Sequence, residues 1–506
     1  MKEQSKKSGI LKGTAWVGSS RLIIRLLGLC STFILARLLV PEDFGLVAIV
    51  TSIVGLLVAF SELGFNQALI SFKDVDDEDY ATAWTMNFCR GIILSFLLVA
   101  LSYPLSVMLN DSRLFPLFLV VSCLPLISGL ENPKLIAFEK KMQFDVIFRV
   151  MVFTKLVGVI STIALVFVWR SYWVLVVGML ITAATRSLLS YYFAPLKIKF
   201  TVRSWKKLFS FSGWIVGAQM LRATSQRLDP IILASFATPH VVGVLHIARE
   251  LSNMTFVEIA APVRRVLFPA LSQYKPYSDE FLDAYKQSIS GLFMILAPVC
   301  VGFVLVAPDA IPVLLGDQWG ETILPIQIIL SCLTFSILTQ NSLSAAMAVG
   351  RPRLLFTQSL IVSPLKLLVY CVGVANFGLY GAIFAICFEF LLASCVDLFI
   401  SKKVTNINIL DHFRMVRRSI FSLFVMGAFV MATSHMLGIG EMGITEHFVR
   451  LIVLIVVGGV TYSFSSFLTW HLVGRPFGAE STLIDYMSKI FVLTKLFSFS
   501  NGATRF

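Results

Sequence analysis

The sequence predicts an all-α polytopic membrane protein: about fourteen transmembrane helices, two pseudo-symmetric six-helix bundles around a central cavity, and two further helices at the C-terminal end. Composition, the spacing of apolar blocks and an internal repeat lead there. Of 506 residues, 57% are drawn from AVILMFWYC and 14% are charged, against roughly 45–50% and 25% in soluble domains. An ordinary soluble enzyme is excluded. A single-span anchor is excluded too, because the apolar blocks run from Thr14 to Leu472 with no water-soluble domain between them. The net charge of +13 would suggest nucleic acid in a soluble protein, but in a membrane protein cations first set topology, and no nucleic-acid partner is expected.

A hydrocarbon core about 30 Å thick takes about 20 apolar residues per helix. Continuous Leu/Ile/Val/Phe blocks without period-2 alternation select helices over a barrel. The expected spans are 14–39, 44–70, 80–109, 114–136, 146–168, 173–193, 207–236, 241–262, 288–315, 323–346, 354–375, 379–400, 419–437 and 448–472. Lys2, Lys6, Lys7 and Lys12 precede the first span, which carries Arg21 and Arg25 and lacks a small-residue cleavage site. It reads as a retained span, not a signal peptide. Pro41 and Gly45 shape a tight turn and open the second helix. The acidic run Asp74–Asp79 reads as a solvated loop with Asp79 as N-cap of the third helix, since no EF-hand glycine follows. Pro262, Arg264, Arg265 and Pro269 are expected to interrupt the segment 241–275.

With the N-terminus inside, the inner segments hold Lys2 to Lys12, Lys140/Lys141, Lys197/Lys199/Arg203/Lys206/Lys207, Arg264/Arg265/Lys275, Arg351/Arg353, Lys402/Lys403/Arg414/Arg417/Arg418 and Arg475/Lys489/Lys495. The outer turns hold little beyond Arg113 and Arg170. Both termini are therefore expected in the cytoplasm. The eight cysteines all lie in apolar segments without a CxxC or Cys/His cluster, so neither disulfide nor metal is indicated. No Walker A motif is present, and no cofactor is expected.

Sliding the chain on itself by 198 residues superposes Trp16–Ile49 on Trp214–Ile247, pairing Pro41 with Pro239 and Gly45 with Gly243. An offset of 209 pairs Ser122-Cys123-Leu124 with Ser331-Cys332-Leu333 and Asn132 with Asn341; an offset of 211 pairs Lys155 with Lys366. Six helices separate the copies, so the halves share one orientation and are related by an axis along the membrane normal. The division is 1–200 and 201–403 for the two bundles, 404–473 for helices 13 and 14, and 474–506 for a cytoplasmic tail.

Several short motifs sharpen this. They are Ala36-Arg37-Leu38-Leu39-Val40-Pro41-Glu42-Asp43-Phe44-Gly45, Glu62-Leu63-Gly64-Phe65, Leu228-Asp229-Pro230, Leu315-Gly316-Asp317-Gln318-Trp319, Gly350-Arg351-Pro352 and Gly378-Leu379-Tyr380-Gly381-Ala382. Through them the chain resembles the polysaccharide transporter branch of the multidrug/oligosaccharidyl-lipid/polysaccharide exporter superfamily, nearest the colanic-acid-type exporters among the Wzx-type flippases. The resemblance covers about residues 10–400 and rests mostly on turn and packing chemistry. It implies a two-lobed alternating-access transporter of the bacterial inner membrane, not an enzyme.

Ionisable groups deep in spans are functional candidates by default. In the first bundle these are Arg21, Arg25, Arg90, Arg149, Lys155 and Arg186, against only Glu62 and Glu131 near span ends. A cationic interior is expected, suited to a polyprenyl pyrophosphate. Arg21, Arg25, Arg90, Arg149 and Lys155, with Arg222 and Lys366 of the second bundle, are the candidate headgroup cations. Arg21 and Arg149 have the alternative of snorkelling to the inner surface. Asp229, Arg249, Glu250, Glu389 and Asp397 are candidates for ion coupling or for pairing between helices. The expected cargo is a lipid-linked oligosaccharide for surface polysaccharide assembly, with membrane lipids and other assembly proteins as partners. The alternative is an ion-coupled multidrug or small-molecule antiporter of the same superfamily. A membrane glycosyltransferase or polymerase is disfavoured by the short outer loops, the longest running from about Gly438 to Glu446.

Overall fold

A computed structural model of the chain describes residues 2–62, 64–72, 74–195, 199–205, 224, 226–351, 353–438 and 443–474. Among these, every regular element is helical. Among the described residues nine helices are long and apolar enough to cross a membrane, or ten if the pair Leu114–Gly129 and Pro133–Lys140, bent by 52°, is one span. Two expected spans count once because 354–375 and 379–400 fall in a single element, Arg353–Thr405, broken only at Gly378 (φ 53°, ψ −122°). The expected span 207–236 lies mostly outside the described residues.

The chain forms two compact units. The first comprises residues 1–246 with 314–319 and 374–379. Its helices are α1 (Lys2–Leu38), α2 (Pro41–Ser61), α3 (Phe65–Ser71), α4 (Asp77–Met108), α5 (Leu114–Val121), α6 (Cys123–Gly129), α7 (Ile136–Lys140), α8 (Phe144–Val168), α9 (Trp173–Phe193) and α10, residues 226–236. Pro41 occupies the first turn of α2, where a missing N–H costs nothing. The Val40 N–H donates to the Asp43 carboxylate at 3.1 Å and closes that start.

The expected continuous span 44–70 ends instead at Glu62, and a short α3 follows from Gly64, whose φ of 64° suits a residue without Cβ. Asp76, not Asp79, caps α4. The Asp79 N–H donates to the Asp76 carboxylate at 2.8 Å, while the Asp79 carboxylate reaches back to the Asp76 N–H at 3.4 Å. At the turn before α5, Arg113 bridges Asp111 (2.8 Å) and Glu42 (2.7 Å). Burial disfavours the Asp111 charge, but the hydrogen bonds and charge of Arg113 outweigh it and hold this carboxyl below its ordinary range; the same bonds push the Arg113 guanidinium up.

α8 and α9 pack through a reciprocal Gly/Thr pair. A Cβ on Gly158 would overlap Thr182, and one on Gly178 would overlap Thr162. Each threonine hydroxyl in turn donates to the glycine carbonyl one turn back on its own helix, at 2.7 Å. Small residues thus bring the backbones together where lipid supplies no hydrophobic drive. The internal repeat surfaces in this unit as a contact. A Cβ on Gly45 would collide with the Pro239 carbonyl, and one on Gly243 with the Pro41 carbonyl. The four residues that the offset of 198 pairs in sequence therefore meet reciprocally. The Asp317-Gln318-Trp319 segment closes the end of α1: Gln318 Nε2 and Trp319 Nε1 both donate to the Ala36 carbonyl at 2.8 Å, and Trp319 is fully buried edge-on to Phe44.

The second unit comprises residues 247–313, 320–373 and 380–506. It holds most of α11 (Pro239–Leu271), then α12 (Asp279–Leu314), α13 (Ile323–Ser336), α14 (Ser342–Ala348), most of α15 (Arg353–Thr405), α16 (Ile409–Met436) and α17 (Ile444–Leu472). The expected interruption at Pro262 and Pro269 does not occur: α11 runs through both. The expected span 323–346 instead divides between α13 and α14. On either side of the break in α15, Gly373 and Gly381 approach so closely that a Cβ on either would overlap the carbonyl of the other. α17 is tied to α12 by the Tyr462 hydroxyl donating to the Met294 carbonyl at 2.9 Å, and to α16 by Ser465 and Ser422.

Candidate substrate and coupling sites

In the first unit a cavity of about 420 Å³ opens where α2, α4, α6, α8 and α9 converge. Its charged lining is Arg90 and Arg186 with Glu62, Glu131 and Glu139. Arg186 is engaged by Glu131, its Nε lying 2.9 and 3.0 Å from the two carboxylate oxygens. Glu62 lies close enough to act electrostatically on Arg90. The expectation that too few acids are available to neutralise the first-bundle cations is corrected for this cavity, where three glutamates face two arginines. Glu139 lies just beyond the expected span 114–136, and the short turn at Pro133–Leu135 and α7 carry it back over the cavity.

Lys155 and Arg25 form a separate cationic locus. Ile147, Val150 and Met151 of α8 line the cavity, and Lys155 follows Met151 by one helical turn on the same side. Its Nζ sits 3.7 Å from where a Gly28 Cβ would be. Gly28 is three residues beyond Arg25 on α1, so Lys155 approaches the side of α1 that also carries Arg25. Arg25 is half-buried and Arg21 exposed.

The remaining candidates separate. Arg149 bonds Asp145 one turn back at 3.2 Å in an exposed pair, so the structure places it in a local ion pair. Lys366, expected among the cavity cations, is instead fully buried and lies 3.2 Å from the Glu389 carboxylate. That correction follows from cost: an ammonium with no exposed surface persists only beside a counter-charge. Arg222 lies outside the described residues. Asp229 is fully buried, Arg249 and Glu250 are partly exposed, and Arg227 of α10 lies against Gly55 of α2, its Cζ 2.9 Å from a Cβ placed there. Asp397 is buried in α15.

Two polar clusters of the second unit were not singled out from the sequence. In the first, Asp309 of α12 is hydrogen-bonded to His447 Nδ1 at 2.9 Å and forms an ion pair with Arg450, whose Nε lies 3.3 Å away without a hydrogen bond, both from α17. Arg450 also donates to the carbonyls of Gly438 and Ser434 at 2.8 and 3.2 Å, closing the exposed end of α16. An acid beside Pro308 at the end of an apolar span was the available signal. In the second, Tyr285 of α12 bonds Ser342 (3.1 Å) and Ser401 (2.9 Å), and Ser401 bonds His412 of α16 (3.0 Å). Singly placed hydroxyls carry no sequence signal, and this network is visible only once the helices are packed.

The polysaccharide biosynthesis protein family model matches residues 34–324. Among curated relatives, the Escherichia coli (strain K12) lipopolysaccharide biosynthesis protein WzxC is 22% identical over 329 residues, 64% of this chain and 67% of that protein. The Bacillus subtilis (strain 168) teichuronic acid biosynthesis protein TuaB is 20% identical over 470 residues, 90% of this chain and 94% of that one. Among solved structures, the lipid II flippase MurJ in an inward closed conformation superposes with a TM-score of 0.70 at 15% identity, covering 90% of this chain and 99% of that one. An inward-facing multidrug resistance MATE family transporter of the MOP superfamily gives a TM-score of 0.57 at 15% identity, covering 78% and 96%. These two likenesses show a fold shared with the MurJ and MATE structures.

Proposed function

Because the chain belongs to the polysaccharide biosynthesis protein family, we propose that it is a flippase that moves a lipid-linked oligosaccharide across the bacterial inner membrane for surface polysaccharide assembly. It is a multi-pass membrane protein, and in this reading its termini face the cytoplasm because the cationic loops do. The work is transport by alternating access between two six-helix bundles, without a chemical step. The single observation that carries the reading, within this family, is the Arg25/Lys155 locus, where the Lys155 ammonium of α8 comes up against Gly28 on the face of α1 that carries Arg25. A pyrophosphate offers several anionic oxygens to such a pair, and a guanidinium fork and an ammonium engage them in complementary ways. Arg90 extends the cationic path toward the cavity, the glycan occupies polar space, and the polyprenyl tail remains in lipid.

The test is to replace Arg25, Arg90 and Lys155 together by alanine and to follow the membrane-embedded lipid-linked saccharide. The variant inserts and folds yet leaves the saccharide on the inner leaflet; full transport by it overturns the assignment.

A second reading, an ion-coupled antiporter for small organic cations, draws on the acid majority of the first-unit cavity. Engagement of Glu131 by Arg186 and the proximity of Glu62 to Arg90 weaken that reading, since they leave Glu139 as the acid least occupied by the cavity's own arginines. Uptake of a fluorescent organic cation into proteoliposomes, set beside flipping of the lipid-linked substrate, separates the two.

A further inference from the structure

Asp397 lies on α15 between Ser394 and Ser401, in the polar seam of the second unit. Its residue is 7% exposed, and its Oδ1 has no hydrogen-bond partner among the described residues. No Lys, Arg or His nitrogen of those residues lies within ion-pairing distance of its carboxylate, in contrast to Glu389 two turns away, which has Lys366. The nearby hydroxyls are already committed elsewhere. Ser394 bonds Ser336 of α13 at 3.1 Å.

One turn on, the His412 Nδ1 faces the Asn408 carbonyl at 3.1 Å and so carries the proton there, leaving Nε2 to accept from Ser401. Ser401 then accepts from Tyr285, and Tyr285 from Ser342. This chain of neutral groups closes on itself from Ser342 to the Asn408 carbonyl and offers nothing to Asp397. Tyr285 from α12 is engaged with Ser342 and Ser401 and brings no positive charge to Asp397. The titratable groups around the seam are therefore Tyr285 on α12, His412 on α16, and Glu389 with Lys366 on α15 itself. Asp411 at the start of α16 is turned to Arg414 at 3.0 Å.

An ionised carboxylate almost wholly withdrawn from water, with one oxygen sealed off without a donor and no counter-ion among the described residues, is a costly state for a protein to hold; such groups take up a proton instead. We propose that Asp397 is a proton-binding site, and that in this arrangement of the second unit its carboxyl group is protonated. Any rearrangement that hydrates Asp397 releases the proton, so the proton acts as a ligand favouring the closed seam, and proton uptake and the conformational equilibrium are linked reciprocally. The site stands on this geometry alone and needs no assumption about cargo. Its use in driving transport rests on the flippase reading.

The test is infrared difference spectroscopy of the purified full-length protein in lipid nanodiscs at neutral pH, comparing wild type, the near-isosteric Asp397→Asn and the carboxyl-retaining Asp397→Glu. The carbonyl stretch of protonated carboxylic acid is expected to lose one carboxyl equivalent in Asp397→Asn and to keep it, shifted, in Asp397→Glu. An identical carboxylic-acid band in wild type and Asp397→Asn overturns the proposal. So does disappearance of the wild-type band when sodium replaces choline in the buffer, which would make the site one for a metal cation. Because no lipid-linked saccharide is present, failure here leaves the flippase reading untouched, and failure of flipping leaves this site untouched.

Discussion

Replacing Lys366 by methionine separates two roles for a buried lysine that make opposite demands on stability. At 3.2 Å from Glu389, the pair's Coulomb attraction is about 5 kcal/mol at an effective dielectric of about 20, most of it offset by the desolvation of both ions. Removing one partner exposes the desolvation cost of the other, and such losses run about 3–5 kcal/mol. Glu389 retains a quarter of its side-chain exposure, so water relieves part of its charge, and the low end, about 3 kcal/mol, is expected for Lys366→Met. Glu389→Gln removes the carboxylate beside a fully buried ammonium and costs at least as much. The double variant loses both charges together and costs far less than the sum of the singles, giving a coupling of about 2 kcal/mol. Denaturant unfolding in mixed micelles, followed for wild type, both singles and the double, measures it. Additivity within about 0.5 kcal/mol refutes the pairing. In that event loss of transport by a fully stable Lys366→Met would return Lys366 to the headgroup cations.

Three further outcomes follow from the first unit. Gly45→Val pushes a side chain into the Pro239 carbonyl and forces the two matched turns apart. A cysteine placed at the buried Ala48 should accordingly react with a soluble maleimide only in the Gly45→Val background. Trp319→Phe deletes one of the two donors to the Ala36 carbonyl while Gln318 remains, so a loss of about 1 kcal/mol is expected in thermal unfolding, rising when Gln318→Ala is added. The Asp111 carboxyl is held below its ordinary range by Arg113. Its contribution is therefore present above the unfolded-state pKa of about 4 and is lost only as pH falls through the lower folded value. Arg113→Ala should change stability by about 1 kcal/mol at neutral pH, because Arg113 itself and its partner Glu42 are substantially exposed, and the difference from wild type should vanish in strong acid.

The helices were legible because lipid leaves the chain so few options: apolar length and Lys/Arg placement alone located most of the spans. Where the reading missed, the cause was local backbone chemistry. Gly64 ends one expected span early. A proline helps break a helix at Pro133, which follows the N-capping Asn132, yet Pro262 and Pro269 sit within a continuous α11. The capping aspartate was displaced by three residues because Asp76 and Asp79 bond reciprocally, and sequence alone does not say which end of such a box is the cap. The internal repeat was informative beyond its weak identities, since Pro41, Gly45, Pro239 and Gly243 meet in space as they match in register.

Charges were harder. Counting cations and acids in spans picked out Arg25, Arg90 and Lys155, but it could not see that Glu139 folds back to a cavity or that Lys366 is matched to Glu389 across the turn at Gly378. Pairing depends on which helix faces which, and that is fixed by small-residue contacts such as Gly158 with Thr182 rather than by the charges themselves. The hydroxyl network around Tyr285 is the extreme case, since each member is an ordinary serine, tyrosine or histidine until four segments bring them together.

The most direct test of the central claim is flipping by the purified protein. Proteoliposomes carrying a lipid-linked oligosaccharide from the protein's own polysaccharide locus are treated with a membrane-impermeant glycosidase, and the protected fraction is followed in time. The account predicts that the protein carries the protected pool to the accessible leaflet and that the Arg25/Arg90/Lys155 triple-alanine variant leaves about half protected, as protein-free vesicles do. A protected pool that stays constant with the folded wild-type protein under an imposed proton or sodium gradient would contradict it.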